Sequence, residues 1–220
     1  MKNIIIIGTN RLSVVIKRII EVEKCANVVA FSTYKKFMSE TFLDGIPVIA
    51  TEDMDAIVKK ENCEILITVG YSEMNQIRER VFNDIRSRGW AITSFISKNA
   101  IVYSSEIGLG SIVMPGAYIG PFVEIGKACF IMMHTTLTHT VKINDWCFIA
   151  ADSVLGGFTE VGHHSFVGMN STMRNKTCVA PYTLVGAGSN ITHSVDVEES
   201  VVVGNPAKRL ENKNSLNTKI

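Results

Sequence analysis

A period of six residues runs through the second half of the chain. Every sixth position in this half is aliphatic, with no interruption. The eighteen positions are Ile101, Ile107, Val113, Ile119, Ile125, Ile131, Leu137, Ile143, Ile149, Leu155, Val161, Val167, Met173, Val179, Val185, Ile191, Val197 and Val203. Because 46% of all residues are hydrophobic, chance would produce this run about once in a million trials for a given phase. The period predicts short strands joined by corners, stacked as a parallel β-helix.

A second position of each hexad supports this interpretation. The residue four places after the aliphatic one is small in nearly every repeat, as at Ala117, Cys129 and Ser153. Glycine often follows the aliphatic residue, where it tolerates a bend in the chain. We therefore expect the aliphatic and small side chains to share a narrow core.

The first half of the chain follows a different pattern, in which short apolar runs alternate with helical spacing. The runs that predict strands are Ile4–Ile7, Val28–Phe31, Ile46–Ile49 and Ile65–Val69. Alternating strands and helices predict a small, doubly wound α/β domain with a Rossmann-like sheet. We divide the chain into this α/β domain (1–97), an all-β β-helix (98–210) and a polar tail (211–220).

The composition excludes several classes of protein. With 22 Lys and Arg against 21 Asp and Glu, the chain lacks the excess positive charge of a general nucleic-acid binder. No apolar run approaches the roughly 18 residues that a membrane span requires. The five cysteines are scattered and include no Cys-x-x-Cys pair, which is typical of a reduced compartment. We expect a soluble, cytoplasmic protein with neither nucleic-acid nor membrane partners.

The repeat resembles the left-handed parallel β-helix of the hexapeptide-repeat acyltransferases. The segment Val203–Leu210 is similar to the ending G-x-P-A-K-R that follows the last coil in that family. With an α/β domain in front, the whole chain resembles the bacterial amino-sugar acetyltransferases, a group that includes the bacillosamine and perosamine N-acetyltransferases and the sialic acid O-acetyltransferase-like proteins. The resemblance implies three hexads per coil, a homotrimer, acetyl-CoA as co-substrate and no metal.

Three hexads per coil place residues 18 apart on neighbouring coils. His139, Gly157, Asn175 and His193 then form one outward column. The resemblance implies that His139 is the general base and that the Gly157 N–H stabilises the thioester carbonyl. The chain departs from the family where Thr140 replaces an acid that often follows the histidine. A second family histidine is matched by Phe148, and a polar column of His134, Asp152 and Asn170 is an alternative source of support for His139.

The same resemblance implies binding residues for both substrates. Those expected to contact CoA are Gly157, Gly186, Ala187, Gly188, Asn205, Pro206, Lys208 and Arg209. Those expected to contact the nucleotide sugar are Gly8, Thr9, Asn10, Arg11, Ser32 and Gly70. The glycine-rich phosphate turn of the family is reduced here to residues 8–13, where a helix N-terminus remains available for a phosphate.

The resemblance implies acetyl-CoA-dependent N-acetylation of a nucleotide-linked amino-deoxy sugar, with a 4-amino-4,6-dideoxyhexose as the expected acceptor. One alternative is O-acetylation of a sugar hydroxyl, and another is a scaffold that binds the nucleotide sugar without turnover. A metal hydratase of the carbonic-anhydrase type would use His134 and His139, but its third ligand position is Lys98. His163 and His164, at a corner, are interpreted as surface groups.

Overall fold

The computed structural model describes residues 1–104 and 106–219. The chain forms two compact units, one of residues 1–70 and 80–93, the other of residues 71–79 and the chain from 94 onwards. This division differs from the one expected from the sequence, because 71–79 and 94–97 belong to the second unit. Within the described residues, no helix is long and apolar enough to cross a membrane.

The first unit is an α/β fold around a five-stranded sheet in the order β3-β4-β2-β1-β5. Strands β4, β2, β1 and β5 are parallel, and β3 is antiparallel to β4. The strands are β1 (Asn3–Ile7), β2 (Asn27–Thr33), β3 (Phe42–Leu43), β4 (Ile46–Ala50) and β5 (Cys63–Ile67). The helices of the chain are α1 (Arg11–Glu23), α2 (Met54–Ile57) and α3 (Gln76–Ser87). Each predicted apolar run overlaps a strand of this sheet, although the run Ile65–Val69 extends two residues past the end of β5.

The start of α1 follows from local chemistry. The Asn10 side chain accepts a hydrogen bond from the Ser13 N–H, which satisfies one of the free donors of the first helical turn. Ile16 and Ile20 on one face of the helix are fully buried. After β4, a 3₁₀ turn over Thr51–Asp53 is followed by the single turn of α2.

The second unit is a parallel β-helix whose strands, two residues long except for β22 and β23, form three ladders. The first ladder contains β10 (Glu124–Ile125), β13 (Lys142–Ile143), β16 (Glu160–Val161) and β19 (Cys178–Val179). The second contains β6 (Phe95–Ile96), β8 (Ile112–Val113), β11 (Phe130–Ile131), β14 (Phe148–Ile149), β17 (Phe166–Val167), β20 (Leu184–Val185), β22 (Ser200–Val203) and the antiparallel β23 (Lys208–Asn214). The third contains β7 (Ile101–Val102), β9 (Tyr118–Ile119), β12 (Thr136–Leu137), β15 (Val154–Leu155), β18 (Thr172–Met173) and β21 (Asn190–Ile191).

The aliphatic and small positions fill the interior as predicted. From Val113 to Ile191 the aliphatic side chains of the repeat are at most 4% exposed. Paired residues such as Phe130, Phe148 and Phe166 are 18 apart, so one coil contains three hexads. The backbone groups of each coil therefore lie directly above those of the preceding coil.

The uninterrupted period is wrong at both ends of the repeat. At the N-terminal end Val102 pairs with Ile119, 17 residues further on, and the predicted inward residue Ile101 is 54% exposed.

The register shifts again at the C-terminal end. Val195 pairs with Val179, and Val202 pairs with Val185, so the last coil is shorter than 18 residues. The predicted inward residues Val197 and Val203 are 48% and 37% exposed. Since neighbouring strand residues point to opposite faces, shifting the register by one residue exchanges Val203 for Val202 in the core.

The tail is also more ordered than expected. Residues 208–214 form β23, antiparallel to β22, and a 3₁₀ turn follows at Ser215–Asn217. Ser215 is buried, and its hydroxyl donates a hydrogen bond to the Tyr182 carbonyl. Residues 211–217 thus continue the second unit instead of forming a separate polar tail.

Candidate functional site

The centre of the candidate site is the contact between His139 and Gly157 on consecutive coils. His139 is exposed, whereas Gly157 is buried beneath it. A Cβ atom added at Gly157 would lie 2.5 Å from both Cε1 and Nε2 of the imidazole. No real side chain tolerates that approach, so the ring occupies space that only a glycine leaves free. The structure therefore brings together the two residues that the 18-residue spacing placed side by side.

The backbone around Gly157 leaves one donor available. The Gly157 carbonyl accepts a hydrogen bond from the Lys176 N–H at 2.9 Å, and the Phe158 N–H donates to the His139 carbonyl at 3.3 Å. Among the described residues, the Gly157 N–H has no hydrogen-bond partner. An unpaired N–H can polarise a substrate carbonyl by donating a hydrogen bond to its oxygen. A neighbouring imidazole can act as the base that removes a proton in the same reaction.

Two side chains flank the His139 ring. Its Nδ1 lies 3.4 Å from the Thr140 hydroxyl, and the Phe158 ring meets it edge-on at 5.3 Å between centroids. No described carboxylate forms an ion pair with His139. The polar column proposed as an alternative support is directed elsewhere, because the His134 ring packs against Gly116, where an added Cβ would lie 2.9 Å from the ring Cε1 and Nδ1.

The residues expected to contact CoA lie on the last coils. Gly186 is half-buried, while Ala187 and Gly188 are exposed. Gly188 has φ +68° with open space around its Cα, so the backbone there is accessible. The main chain at Ala187 lies close to the main chain of the preceding coil, since a Cβ added at Gly168 would lie 2.5 Å from the Ala187 nitrogen.

The family-like ending is held against the same coils. The Asn205–Pro206 peptide is cis, and the Asn190 amide donates to the Asn205 side-chain oxygen at 3.0 Å. Lys208 and Arg209 begin β23 with exposed side chains. Exposed guanidinium and ammonium groups on a paired strand are suited to bind phosphates.

The residues expected to contact the nucleotide sugar lie at the carboxyl ends of β1, β2 and β5, where open parallel sheets bind ligands. Gly8 has φ +132°, and an added Cβ would lie 2.7 Å from the Thr68 hydroxyl oxygen. Thr9 is half-buried, and Asn10 and Arg11 are exposed. Gly70 is half-buried in a position with open space beside its Cα.

The side chain of Ser32, the remaining residue of this expected set, lies inside the sheet. Its side chain is fully buried and shares a hydrogen bond of 2.9 Å with the Thr51 hydroxyl. The Ser32 carbonyl accepts a hydrogen bond from the Gly8 N–H at 2.9 Å. Ser32 therefore holds the edge of the sheet in place and has no side-chain atom exposed to a ligand.

The sequence interpretation missed a polar cluster built by the segment 71–79. His164 is only 4% exposed, and its Nε2 lies 3.1 Å from a carboxylate oxygen of Glu79. Its Nδ1 lies 3.0 Å from Nδ1 of His163, and its ring stacks on Tyr182 at 4.8 Å. Burial lowers the pKa of His164 below 6.5, against the opposing effect of Glu79. His164 is thus a core histidine, and no spacing rule in the sequence connects it to Glu79.

Arg78 was missed for a similar reason. Its guanidinium is fully buried and donates to the carbonyls of Ala128 at 2.8 Å and Trp146 at 3.0 Å. It also lies 4.8 Å above the centroid of the Phe130 ring. Burial lowers the pKa of Arg78 to about 10. This side chain fastens the start of α3 to the corners of the β-helix.

The hydratase alternative requires a third metal ligand near His134 and His139. Within residues 1–104 and 106–219, no group of three or more His, Cys, Asp or Glu side chains is arranged to hold a metal ion.

Comparison with protein-family models and with curated proteins finds no match to this sequence. Solved structures are similar over almost the whole chain. The acetyltransferase domain of PglB from Neisseria gonorrhoeae is 23% identical, with a TM-score of 0.85 over 96% of this chain and 100% of that chain. PerB from Caulobacter crescentus, in complex with CoA and GDP-perosamine, is 21% identical, with a TM-score of 0.84 over 96% and 98%. WeeI from Acinetobacter baumannii is 21% identical, with a TM-score of 0.84 over 96% and 100%. At these identities the likeness shows a shared fold, and the three parallel ladders fit a left-handed β-helix.

Proposed function

We propose that this protein transfers the acetyl group of acetyl-CoA to the amine of a nucleotide-linked amino-deoxy sugar. The observation that carries the proposal is the contact between His139 and Gly157, which pairs a base with a free backbone donor. The fold shared with PerB, a structure holding CoA and GDP-perosamine, supports this choice of substrates. A 4-amino-4,6-dideoxyhexose is the proposed sugar, destined for a bacterial surface glycan.

The proposed reaction needs a base and a site for negative charge. As the amine nitrogen bonds to the thioester carbonyl carbon, Nε2 of His139 accepts the proton that the nitrogen loses. A positioned base of this kind contributes about 100- to 10,000-fold in rate. The C–S bond then breaks, and the protonated imidazole returns its proton to the departing sulfur, which restores neutral His139.

The Gly157 N–H acts on the carbonyl oxygen in the same step. A single donor aimed at such an oxyanion contributes about 2.7–4 kcal/mol of transition-state stabilisation. The carbonyl becomes more negative as the nitrogen attacks, so this hydrogen bond strengthens in the transition state. No acyl group on the protein is required.

Separate parts of the chain are proposed to bind the two substrates. The Rossmann-like first unit binds the nucleotide through Gly8, Thr9, Asn10, Arg11 and Gly70. The late coils bind CoA through Gly186, Ala187 and Gly188, with Asn205, Pro206, Lys208 and Arg209 at the end of the coil. The proposed assembly is a cytoplasmic homotrimer, as the family resemblance implies.

A thiol-release assay tests the proposal. The protein is incubated with acetyl-CoA and a panel of UDP-, GDP- and TDP-linked sugars, in which 4-amino sugars are matched with their 4-hydroxy counterparts. We expect thiol release with at least one amine and none with its matched alcohol. Turnover of an alcohol but of no amine would replace the proposal by O-acetylation, and binding without turnover would indicate a scaffold.

A further inference from the structure

Thr140 lies at a corner of the coil, next to the candidate base in the sequence, and shares its positive φ with the corner residues six before and six after it, His134 and Trp146. The Thr140 backbone has φ +55°, a left-handed conformation that β-branched residues rarely adopt. The Thr140 N–H donates to the Pro121 carbonyl at 3.0 Å, which fixes the backbone of this corner. Its hydroxyl oxygen lies 3.4 Å from Nδ1 of His139. The corner thus directs the Thr140 hydroxyl to one nitrogen of the neighbouring imidazole.

The two nitrogens of His139 have different surroundings. Nε2 lies over Gly157, 2.5 Å from the position of an added Cβ, whereas Nδ1 lies 3.1 Å from that position and faces Thr140. In a neutral imidazole one nitrogen carries the proton, and the hydrogen bond made by that nitrogen determines which one it is. A hydroxyl oxygen accepting from Nδ1–H leaves the lone pair on Nε2.

Other neighbours restrict the ring without choosing between its nitrogens. Phe158 meets the ring edge-on, and Gly157 closes the space beneath it. The Phe158 side chain offers no hydrogen-bond acceptor, and Gly157 has no side chain. The described carboxylates form no ion pair with this histidine, so the Thr140 hydroxyl is the described side chain that hydrogen-bonds to the ring. A hydroxyl can accept from Nδ1–H or donate to Nδ1, and the two cases leave opposite tautomers.

We infer that Thr140 is a positioning residue, which holds His139 as the Nδ1–H tautomer so that Nε2 faces the acceptor amine. The role in catalysis rests on the proposed function, whereas the tautomer can be measured without any substrate. The Thr140 hydroxyl is neutral, so it places no negative charge beside the imidazole.

Thr140→Val is the decisive variant because valine is also β-branched and leaves the backbone strain unchanged. In long-range ¹H–¹⁵N NMR spectra, with the signal assigned by its loss in His139→Asn, we expect the Nδ1–H tautomer in the wild type. The Thr140→Val spectrum should shift towards the Nε2–H tautomer, and Thr140→Ser should restore the wild-type spectrum. A wild-type Nε2–H tautomer, or a spectrum that Thr140→Val leaves unchanged, would overturn the inference.

Kinetics supply the second readout. Loss of one neutral hydrogen bond should lower kcat/KM of Thr140→Val by about five- to tenfold, and Thr140→Ser should recover most of it. Thr140→Asp places a carboxylate beside Nδ1, so the acid limb of kcat/KM should move up by about one pH unit or more. An acid limb that stays in place in Thr140→Asp would contradict the positioning role.

Thr192 offers a matched control, since its hydroxyl oxygen lies 3.0 Å from Nδ1 of His193 three coils further along. Thr192→Val should leave the acid limb of the profile where it is in the wild type. A wild-type protein that acetylates no amine would overturn the proposed function, while the NMR spectra would still decide the tautomer. The two failures are therefore distinguishable.

Discussion

His139 lies so close to Gly157 that a single added methyl group would lie 2.5 Å from the imidazole Nε2. The contact joins residues 18 apart in the sequence, one coil of the β-helix. The contact fixes the position of the imidazole along the axis of the β-helix, next to the residue of the following coil that carries the free N–H. Both groups that the proposed reaction needs are thus positioned by the same stacking that builds the core.

Gly157→Ala tests this contact directly. The new Cβ must displace the imidazole, since the glycine backbone is held by the Lys176 N–H and cannot retreat. We expect kcat/KM to fall by about 100-fold, the scale of a misplaced catalytic group.

A double-mutant cycle separates displacement of the ring from general damage. In a His139→Ala background the added methyl has no ring to displace, so Gly157→Ala should cost little further activity. Equal losses in both backgrounds would show that Gly157 acts independently of His139.

Acetyl-CoA affinity tests the assignment of the β23 charges. Lys208→Ala and Arg209→Ala should each weaken binding by about fivefold at low salt, because exposed ion pairs contribute up to about 1 kcal/mol. The effect should shrink as salt screens the charges. Isothermal titration calorimetry measures the affinity for acetyl-CoA and its dependence on salt. Lys213→Ala, an exposed lysine of the same strand, is the matched control and should bind like the wild type.

Removal of the Arg78 guanidinium should destabilise the fold. Arg78→Met keeps much of the side-chain volume but leaves the Ala128 and Trp146 carbonyls without their donor. An unsatisfied buried acceptor costs about 1–3 kcal/mol, so we expect the free energy of unfolding in urea to fall by at least about 2 kcal/mol. Arg86→Met, an exposed position on the same helix, should change it by less than about 0.5 kcal/mol. A more stable Arg78→Met protein would mean that burying the charge costs more than its hydrogen bonds return.

Stability should fall in mildly acidic solution because of His164. Burial lowers its folded-state pKa below 6.5, while Glu79 opposes and His163 and Arg78 reinforce that shift. The unfolded chain therefore binds more protons, and the free energy of unfolding should decrease as pH falls through about 6.5.

Urea unfolding at pH 7.5, 6.5 and 5.5 measures this dependence. His164→Gln should show a shallower loss than the wild type over the same interval. A wild-type protein that becomes more stable on acidification would show that attraction to Glu79 outweighs the cost of burial.

The repeat could be predicted from the sequence because each hexad carries its own inward residues. The shortened last coil could not be predicted, since Val202 and Val203 are equally aliphatic. Only the length of the preceding corner determines which of the two side chains points into the core. The column of His139 and Gly157 followed from arithmetic once the coil length was known. The positions of Arg78 and Glu79 could not be predicted, because both residues belong to a segment that precedes the repeat and packs on the β-helix. Arginine and glutamate in a sequence usually indicate an exposed face.

The most direct measurement of the central claim compares wild type and His139→Asn for acetylation of one nucleotide-linked 4-amino sugar. We predict that kcat/KM for thiol release falls by at least about 100-fold in His139→Asn, while the dissociation constant for acetyl-CoA is unchanged. Undiminished amide formation by His139→Asn would contradict the account, because the proton would then leave the amine without this imidazole.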